Sequence, residues 1–364
     1  MAPNRVLAAT TTGRFTTEIR EYPFPDIPPD GGVLQVEAAG VCGSDWNAYQ
    51  ADHPPRIMGH ENVGRVHSIG SIAARRWGLR EGDRVALEEY LPCGHCHLCR
   101  SGEFRLCDQT ESRRPGALRY GTTPVSEAPG LWGGYSQFQY LHPNSVIHRA
   151  PDNVPAELVA MCLPLANGLQ WACMDASVGP GKTVLIQGPG QQGLACAIAA
   201  RAAGSEKVIV AGLARDAKRL ELAVALGATD KIDVEHENLE QGVREITAGE
   251  GVDVSIDTAG ASTTLLNAMN VTRKNGILLF AAANSHLPEF PLSKLLARRI
   301  TLKPCRGHSY EAVELALRWI ASGKFPLQLL ATHRFGLEDV DLAVRSVGGQ
   351  GVPDAVHVTV MPWG

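Results

Sequence analysis

The sequence predicts two domains, one all-β and barrel-like, the other α/β with a parallel sheet covered on both faces by helices. Three observations carry this. At 364 residues the chain exceeds what one hydrophobic core ordinarily holds. Roughly the first 150 residues are short β-type runs, such as Val33-Leu34-Gln35-Val36 and Asp83-Arg84-Val85-Ala86-Leu87, broken at short intervals by Gly and Pro. From about Glu157 onward, apolar strand-like runs alternate with helix-like ones.

Taken in order, Lys182 to Ile186 reads as a buried strand and Gly193 to Ala203 as an Ala-rich helix. Val208 to Val210 is the next strand, Ala217 to Leu226 the next helix, and Val252 to Ile256 and Gly276 to Phe280 continue the series. After Thr301 the pattern breaks up, and a helix near Tyr310 to Ser322 and a strand around Ala355 to Val360 are expected to return to the first domain. The expected boundaries are 1–156 for the β domain, 157–301 for the α/β domain and 302–364 for the return.

Hydrophobic residues make up 44% and charged residues 20%, as in ordinary soluble proteins. A net charge of -4 gives no reason to expect nucleic acid or an acidic membrane as partner. No apolar run approaches the roughly 18 residues that span a bilayer. Met1 to Thr16 has no apolar core of a signal peptide, so a cytoplasmic protein is expected. Its nine cysteines are then expected to be thiols or metal ligands rather than disulfides.

Four of them form the most specific signal. Cys93, Cys96, Cys99 and Cys107 are spaced Cys-x2-Cys-x2-Cys-x7-Cys, inside a lobe at 91–110. Four thiolates close a tetrahedral shell around Zn2+ and leave no position for a substrate, so this site is structural. An iron–sulfur cluster is the rival reading, although the run lacks a proline after its last cysteine.

Gly188-Pro189-Gly190-Gln191-Gln192-Gly193 follows a strand and opens a helix, which is the context a dinucleotide-binding turn requires. Gly188 allows the turn, Gly190 lets the backbone approach a pyrophosphate, and Gly193 lets helix and strand pack closely. The helix N-terminus, beginning at Gln191, offers unpaired N–H groups to the anion. The next strand carries Gly212 where an acid would grip the ribose of NAD, followed by Arg215, Asp216, Lys218 and Arg219. Loss of the carboxylate and the nearby Arg215 and Arg219 lean toward the 2′-phosphate of NADP. Asp216 as a displaced ribose acceptor keeps NAD open.

Cys42, in Gly40-Val41-Cys42-Gly43-Ser44-Asp45, and His60, in Gly59-His60-Glu61-Asn62-Val63-Gly64, offer the thiolate and imidazole of an open, catalytic zinc site. Ser44 carries a hydroxyl suited to moving a proton outward. Taken singly, Cys42 reads as a small buried apolar residue and His60 as a loop histidine. With Gly82-Asp83-Arg84-Val85, Gly133-Gly134-Tyr135, the cysteine lobe and the glycine motif in order, the chain resembles the zinc-type medium-chain dehydrogenases, the alcohol and polyol dehydrogenase family.

The resemblance spans nearly the whole chain. It implies a GroES-like catalytic domain with an inserted Rossmann domain, active as a homodimer or homotetramer. It implies Cys42 and His60 as zinc ligands and Ser44 as the proton-relay hydroxyl. Two residues depart from the family pattern. Leu163 stands where many relatives place a ligating Glu before Pro-Leu-Ala. Glu61, used in polyol dehydrogenases, is then the expected third ligand, with Cys162 in reserve. Asn47 replaces a relay histidine and cannot titrate near neutral pH.

The expected activity is reversible oxidation of an alcohol to an aldehyde or ketone with hydride transfer to NAD(P)+. Trp46, Tyr49 and Trp132 are candidates for an apolar wall around a bulky alcohol. Two rivals remain at this level: a reductase of the same fold that keeps only the structural zinc, and a non-catalytic nucleotide-binding protein. Metal content separates the first, and retention of Cys42, Ser44, His60 and Glu61 together argues against the second.

Overall fold

The computed structural model describes residues 4–111, 114, 116–282 and 290–364. The chain divides into two compact units, Met1–Leu163 with Ser309–Gly364, and Pro164–His308.

The first unit is built on a seven-stranded sheet. Its path runs Ala331–Phe335, His357–Val360, Gly32–Val41, Glu61–Ile69, Arg84–Leu87 and Ile147–Arg149, with Phe138–Leu141 also paired to Gly32–Val41. Strand His357–Val360, from the far end of the chain, pairs antiparallel with Gly32–Val41, so the C-terminal return is a sheet partner. The β-branched and apolar residues of these strands face one core with Val33, Val36, Val41, Val85, Leu87, Val358 and Val360, all unexposed. A three-stranded sheet, Thr16–Pro23, Arg5–Gly13 and Arg56–Ile57, contributes Val6, Ala8 and Ile57 to the same core. Arg84 in the Gly-Asp-Arg-Val run is buried because its guanidinium has partners. It donates to Glu37 at 2.6 Å and to the carbonyls of Pro151 and Val154 at 2.7 Å each, tying down the end of the β region.

The second unit is a six-stranded sheet in which every pairing is parallel. The order is Asp230–Asp233, Lys207–Gly212, Thr183–Gln187, Val252–Asp257, Thr272–Phe280, Thr301–Pro304. Counted in chain order that is 3-2-1-4-5-6, the doubly wound dinucleotide-binding arrangement. The central strands are apolar on both faces, with Val184, Leu185, Ile186, Val208, Ile209 and Val210 all fully buried, as a sheet covered by helices demands. Two strands differ from the sequence reading. Asp230–Asp233 and Thr301–Pro304 are edge strands, short and at least half polar, so neither has the apolar run that marks a buried strand. Among the described residues, no helix is long and apolar enough to cross a membrane.

Candidate metal centres and cofactor site

The cysteine lobe brings its four sulfurs together. The Sγ atoms of Cys93, Cys96, Cys99 and Cys107 all lie within 4.8 Å of one another, and all four are free thiols. Cys93 to Cys99 is 3.8 Å and Cys96 to Cys99 is 3.4 Å. Tetrahedral bonds of about 2.3 Å put ligand sulfurs about 3.8 Å apart, so the spacing fits zinc. Backbone N–H groups aim at the sulfurs: Cys93 at Cys107 (3.4 Å), Cys96 at Cys93 (3.3 Å) and Cys99 at Cys96 (3.4 Å). Hydrogen bonds from His95 and Cys96 pull the Cys93 thiol down to about 6. Burial and the neighbouring Cys96 push Cys99 up to about 12. Four thiolates this close need a cation between them, and the donor set is the one zinc takes.

A second cluster is non-local. Cys42 Sγ, a His60 ring nitrogen and a Glu61 carboxylate oxygen lie within 4.8 Å of one another. Strand pairing puts them there, since Gly40 opposes Glu61 in the antiparallel register of Gly32–Val41 with Glu61–Ile69. Gly40 leaves the Glu61 carboxylate its place at that pairing: a Cβ there would sit 2.5 Å from Glu61 Oε2, which would have to move.

Asp45, which the sequence reading did not single out, organises this cluster. Its Oδ2 accepts from the Cys42 N–H at 2.9 Å and from the Tyr135 hydroxyl at 3.0 Å, and its Oδ1 lies 3.3 Å from His60 Nδ1. His60 Nδ1 is therefore turned to a carboxylate and Nε2 is left as the donor nitrogen, the usual support of a metal-bound histidine. Ser44, exposed, has its Oγ 3.4 Å from His60 Nε2. Burial, then Glu61, raises the Cys42 thiol above its ordinary value. Burial opposes protonation of His60, but Asp45 and Glu89 outweigh it and hold the imidazole well above its ordinary value. A half-buried thiol and a buried imidazole ringed by carboxylates favour a cation, and the mixed S, N, O set suits zinc.

Cys162 is buried outside this group, its thiol raised by burial and then by Glu88 and Glu61. Leu163 is buried beside it. Asn47 is exposed. The three aromatics expected as a pocket wall belong to packing instead. Tyr49 and Trp132 are core residues, with the Tyr49 hydroxyl on Asp341 at 2.5 Å and the Trp132 indole N–H on the Glu127 carbonyl at 2.9 Å. Trp46 packs on that core, its ring blocking any side chain at Gly348.

In the second unit the glycine motif has the predicted form. Gly188 has φ +98°, which only glycine adopts freely, and a Cβ on Gly193 would lie 2.0 Å from the Gly188 carbonyl oxygen. Gly190, N-cap of helix Gln191–Ala202, faces open space, so a phosphate can approach its backbone. At the end of strand Lys207–Gly212, a Cβ on Gly212 would strike Pro189 at 2.8 Å. The acid missing there cannot be restored without moving the motif itself. Asp216 is committed locally: it accepts from the Leu213 N–H at 3.2 Å and from Arg219 Nη1 at 3.2 Å. Arg215 is exposed. Glu235, which sequence reasoning passed over, accepts from the Ala214 N–H at 2.7 Å.

A dinucleotide-binding sheet and a Cys–His–Glu donor set in one chain define an oxidoreductase that pairs a metal with a nicotinamide cofactor. The comparisons agree. The family model described as Zinc-binding dehydrogenase matches residues 193–322, and Alcohol dehydrogenase GroES-like domain matches 28–152. The "Probable alcohol dehydrogenase adh" of Mycobacterium tuberculosis is 34% identical over 354 residues, covering 94% of this chain and 95% of that one. The sorbitol dehydrogenase of Bombyx mori is 33% identical, with 96% and 98% covered. Among solved structures, an alcohol dehydrogenase from Thermotoga maritima superposes with a TM-score of 0.84 at 26% identity, covering 98% of this chain and 99% of its own. The chain belongs to the zinc-type medium-chain dehydrogenase family.

Proposed function

We propose that this enzyme reversibly oxidises an alcohol: the alcohol and NAD(P)+ give the corresponding aldehyde or ketone, NAD(P)H and a proton. The observation that carries this is the convergence of Cys42, His60 and Glu61 within 4.8 Å, in a chain that also holds a complete dinucleotide turn. Cys42, His60 and Glu61 would hold a zinc ion, which when bound would supply a Lewis acid for the substrate oxygen, and the dinucleotide turn would hold the NAD(P)+ that supplies the hydride acceptor. Asp45 fixes the His60 tautomer and the Cys42 backbone, so both donors are set before the metal arrives. Ser44, exposed and 3.4 Å from His60 Nε2, takes the alcohol proton outward. Cys93, Cys96, Cys99 and Cys107 hold the second, structural zinc.

Gly188, Gly190, Gln191 and Gly193 receive the pyrophosphate. The reading leans to NADP: Gly212 offers no acid, Asp216 is engaged with Leu213 and Arg219, and Arg215 is exposed beside them. The enzyme is further read as a homodimer or homotetramer in the cytoplasm, where its cysteines, none of them in a disulfide, stay reduced or metal-bound.

Metal analysis with an alcohol panel tests the whole. Two zincs per chain are expected, with NAD(P)+-dependent oxidation. His60→Ala should retain one zinc and lose at least about 1000-fold in kcat/KM, a value in the range of removed electrostatic catalysis. One zinc in the wild type, with activity that His60→Ala leaves intact, overturns the proposal.

A further inference from the structure

A charged pair beside His60 belongs to none of the motifs considered so far. Glu89 lies two residues past strand Arg84–Leu87, and the segment after it meets a second stretch of chain through a bridge between Tyr90 and Arg119. The Tyr120 N–H donates to the Glu89 carbonyl at 3.0 Å. On its other side this second stretch presses on the metal cluster, since a Cβ on Gly121 would lie 3.2 Å from the Gly59 carbonyl oxygen and 3.3 Å from His60 Cβ.

The side chains meet at that junction. Arg119 donates through Nη2 to Glu89 Oε1 at 2.6 Å and through Nε to Oε2 at 3.1 Å, with its guanidinium over the Tyr90 ring at 4.7 Å. Glu89 Oε2 in turn lies 3.9 Å from His60 Nε2, the nitrogen that Asp45 leaves available. The two side chains are 17% and 16% exposed. Arg119 Nη1 has no acceptor among the described residues.

This pair is doubly hydrogen-bonded and neutral in sum, and it presents an acceptor and a donor side by side. A carboxylate-bearing ligand meets the Glu89 charge. A plain alcohol removes the remaining water from both groups and returns no hydrogen bond, which is costly for charged groups. A neutral hydroxyl satisfies both, accepting from Nη1 and donating to the carboxylate.

We propose that Glu89 and Arg119 form a hydroxyl-reading dyad, selecting substrates that carry a second hydroxyl on the carbon next to the one oxidised. This rests on the alcohol-oxidation reading and narrows it to vicinal diols and polyols.

Glycerol and isopropanol make the test, since they share the central secondary alcohol and differ only in neighbouring hydroxyls. The ratio of their kcat/KM values should favour glycerol in the zinc-loaded wild type, and Arg119→Met should reduce that ratio about 30-fold, the size of a hydrogen bond to a charged group. Glu89→Gln should lower it in the same direction, and Arg119→Lys should restore part of it, which keeps the test open if the Met variant does not fold. An unchanged ratio, or no wild-type preference for glycerol, overturns the dyad. The Co2+-substituted protein provides a second readout. Its absorption spectrum should be the same in wild type and Glu89→Gln; a shifted spectrum means Glu89 acts on the metal and overturns the recognition role. If the wild type oxidises neither compound, the alcohol panel decides the alcohol-oxidation reading separately, and calorimetric binding still decides the dyad. Glycerol binding that Arg119→Met weakens supports it; equal binding of glycerol to both proteins sinks it.

Discussion

Replacing Gly40 by alanine tests whether Glu61 belongs to the catalytic metal shell. The added Cβ falls 2.5 Å from Glu61 Oε2, 3.0 Å from Glu61 Cβ and 3.1 Å from His357 Cε1. Ordinary contact begins near 3.4 Å, so the carboxylate oxygen must retreat by about 0.9 Å. Metal–oxygen bonds tolerate only about ±0.2 Å. The displacement is several times that, and a ligand cannot absorb it without leaving the metal or moving strand Gly32–Val41. Overpacking of this kind costs about 1–3 kcal/mol of stability, and disturbing a ligand's support typically costs 10–100-fold in metal affinity. Zinc per chain should therefore fall from about two to about one under chelator competition that leaves the wild type full, with the cysteine lobe still loaded. Gly13→Ala, where nothing lies within 4 Å of the new atom, controls for generic handling losses. Full retention of both zincs at wild-type affinity in Gly40→Ala would refute the assignment of Glu61.

In the cysteine lobe, Cys99→Ser should release one zinc and lower Tm while leaving the other metal in place, read by metal analysis and calorimetry. Gly193→Ala puts a Cβ 2.0 Å from the Gly188 carbonyl oxygen, so cofactor binding measured by fluorescence titration should fall by tenfold or more, whichever nicotinamide is used. For cofactor choice, Arg215→Ala should raise KM for NADP+ more than for NAD+, and an equal change in both would remove the lean to NADP. His148 gives a pH prediction. It is fully buried between Glu88 (3.4 Å) and Glu314 (2.7 Å). Burial alone would lower its pKa, yet the two carboxylates raise it above the ordinary value. A raised folded-state pKa means its contribution is complete below about pH 6.5 and fades as pH climbs through the folded value. His148→Leu should thus destabilise by about 3 kcal/mol in acid and by less near pH 9, checked by denaturant unfolding at both pH values.

Features local in sequence were the ones legible there. The cysteine spacing, the glycine turn and the alternation of strands and helices each lie within a few tens of residues, and their physical requirements are short-range. Asp45 and Glu89 were missed for the opposite reason. Each looks like a solvated acid until folding places it against His60, and the spacing of Asp45 from Cys42 matches no ligand pattern. Arg119 has no sequence signal at all; its meaning comes from a bridge to Tyr90 across a long loop. Tyr49 and Trp132 show the converse error. An aromatic near a candidate ligand invites a pocket reading, but the hydrogen bonds of both to Asp341 and Glu127 fix them in the core. The edge strand Thr301–Pro304 escaped because it has one sheet neighbour among the described residues and no apolar run.

The pairing of Gly40 with Glu61 also sets a timetable. The lobe's four sulfurs come from residues 93–107, a loop short enough to close around an ion while the rest of the chain is still searching. The Cys42, His60 and Glu61 donors converge only after two strands have found their register, a slower, longer-range event. On the proposed ligand assignment, zinc uptake is therefore expected in sequence, lobe first, which a zinc-limited refolding time course with metal analysis would check. Under that assignment, a chain folding where zinc is scarce would complete its structural lobe before its catalytic site.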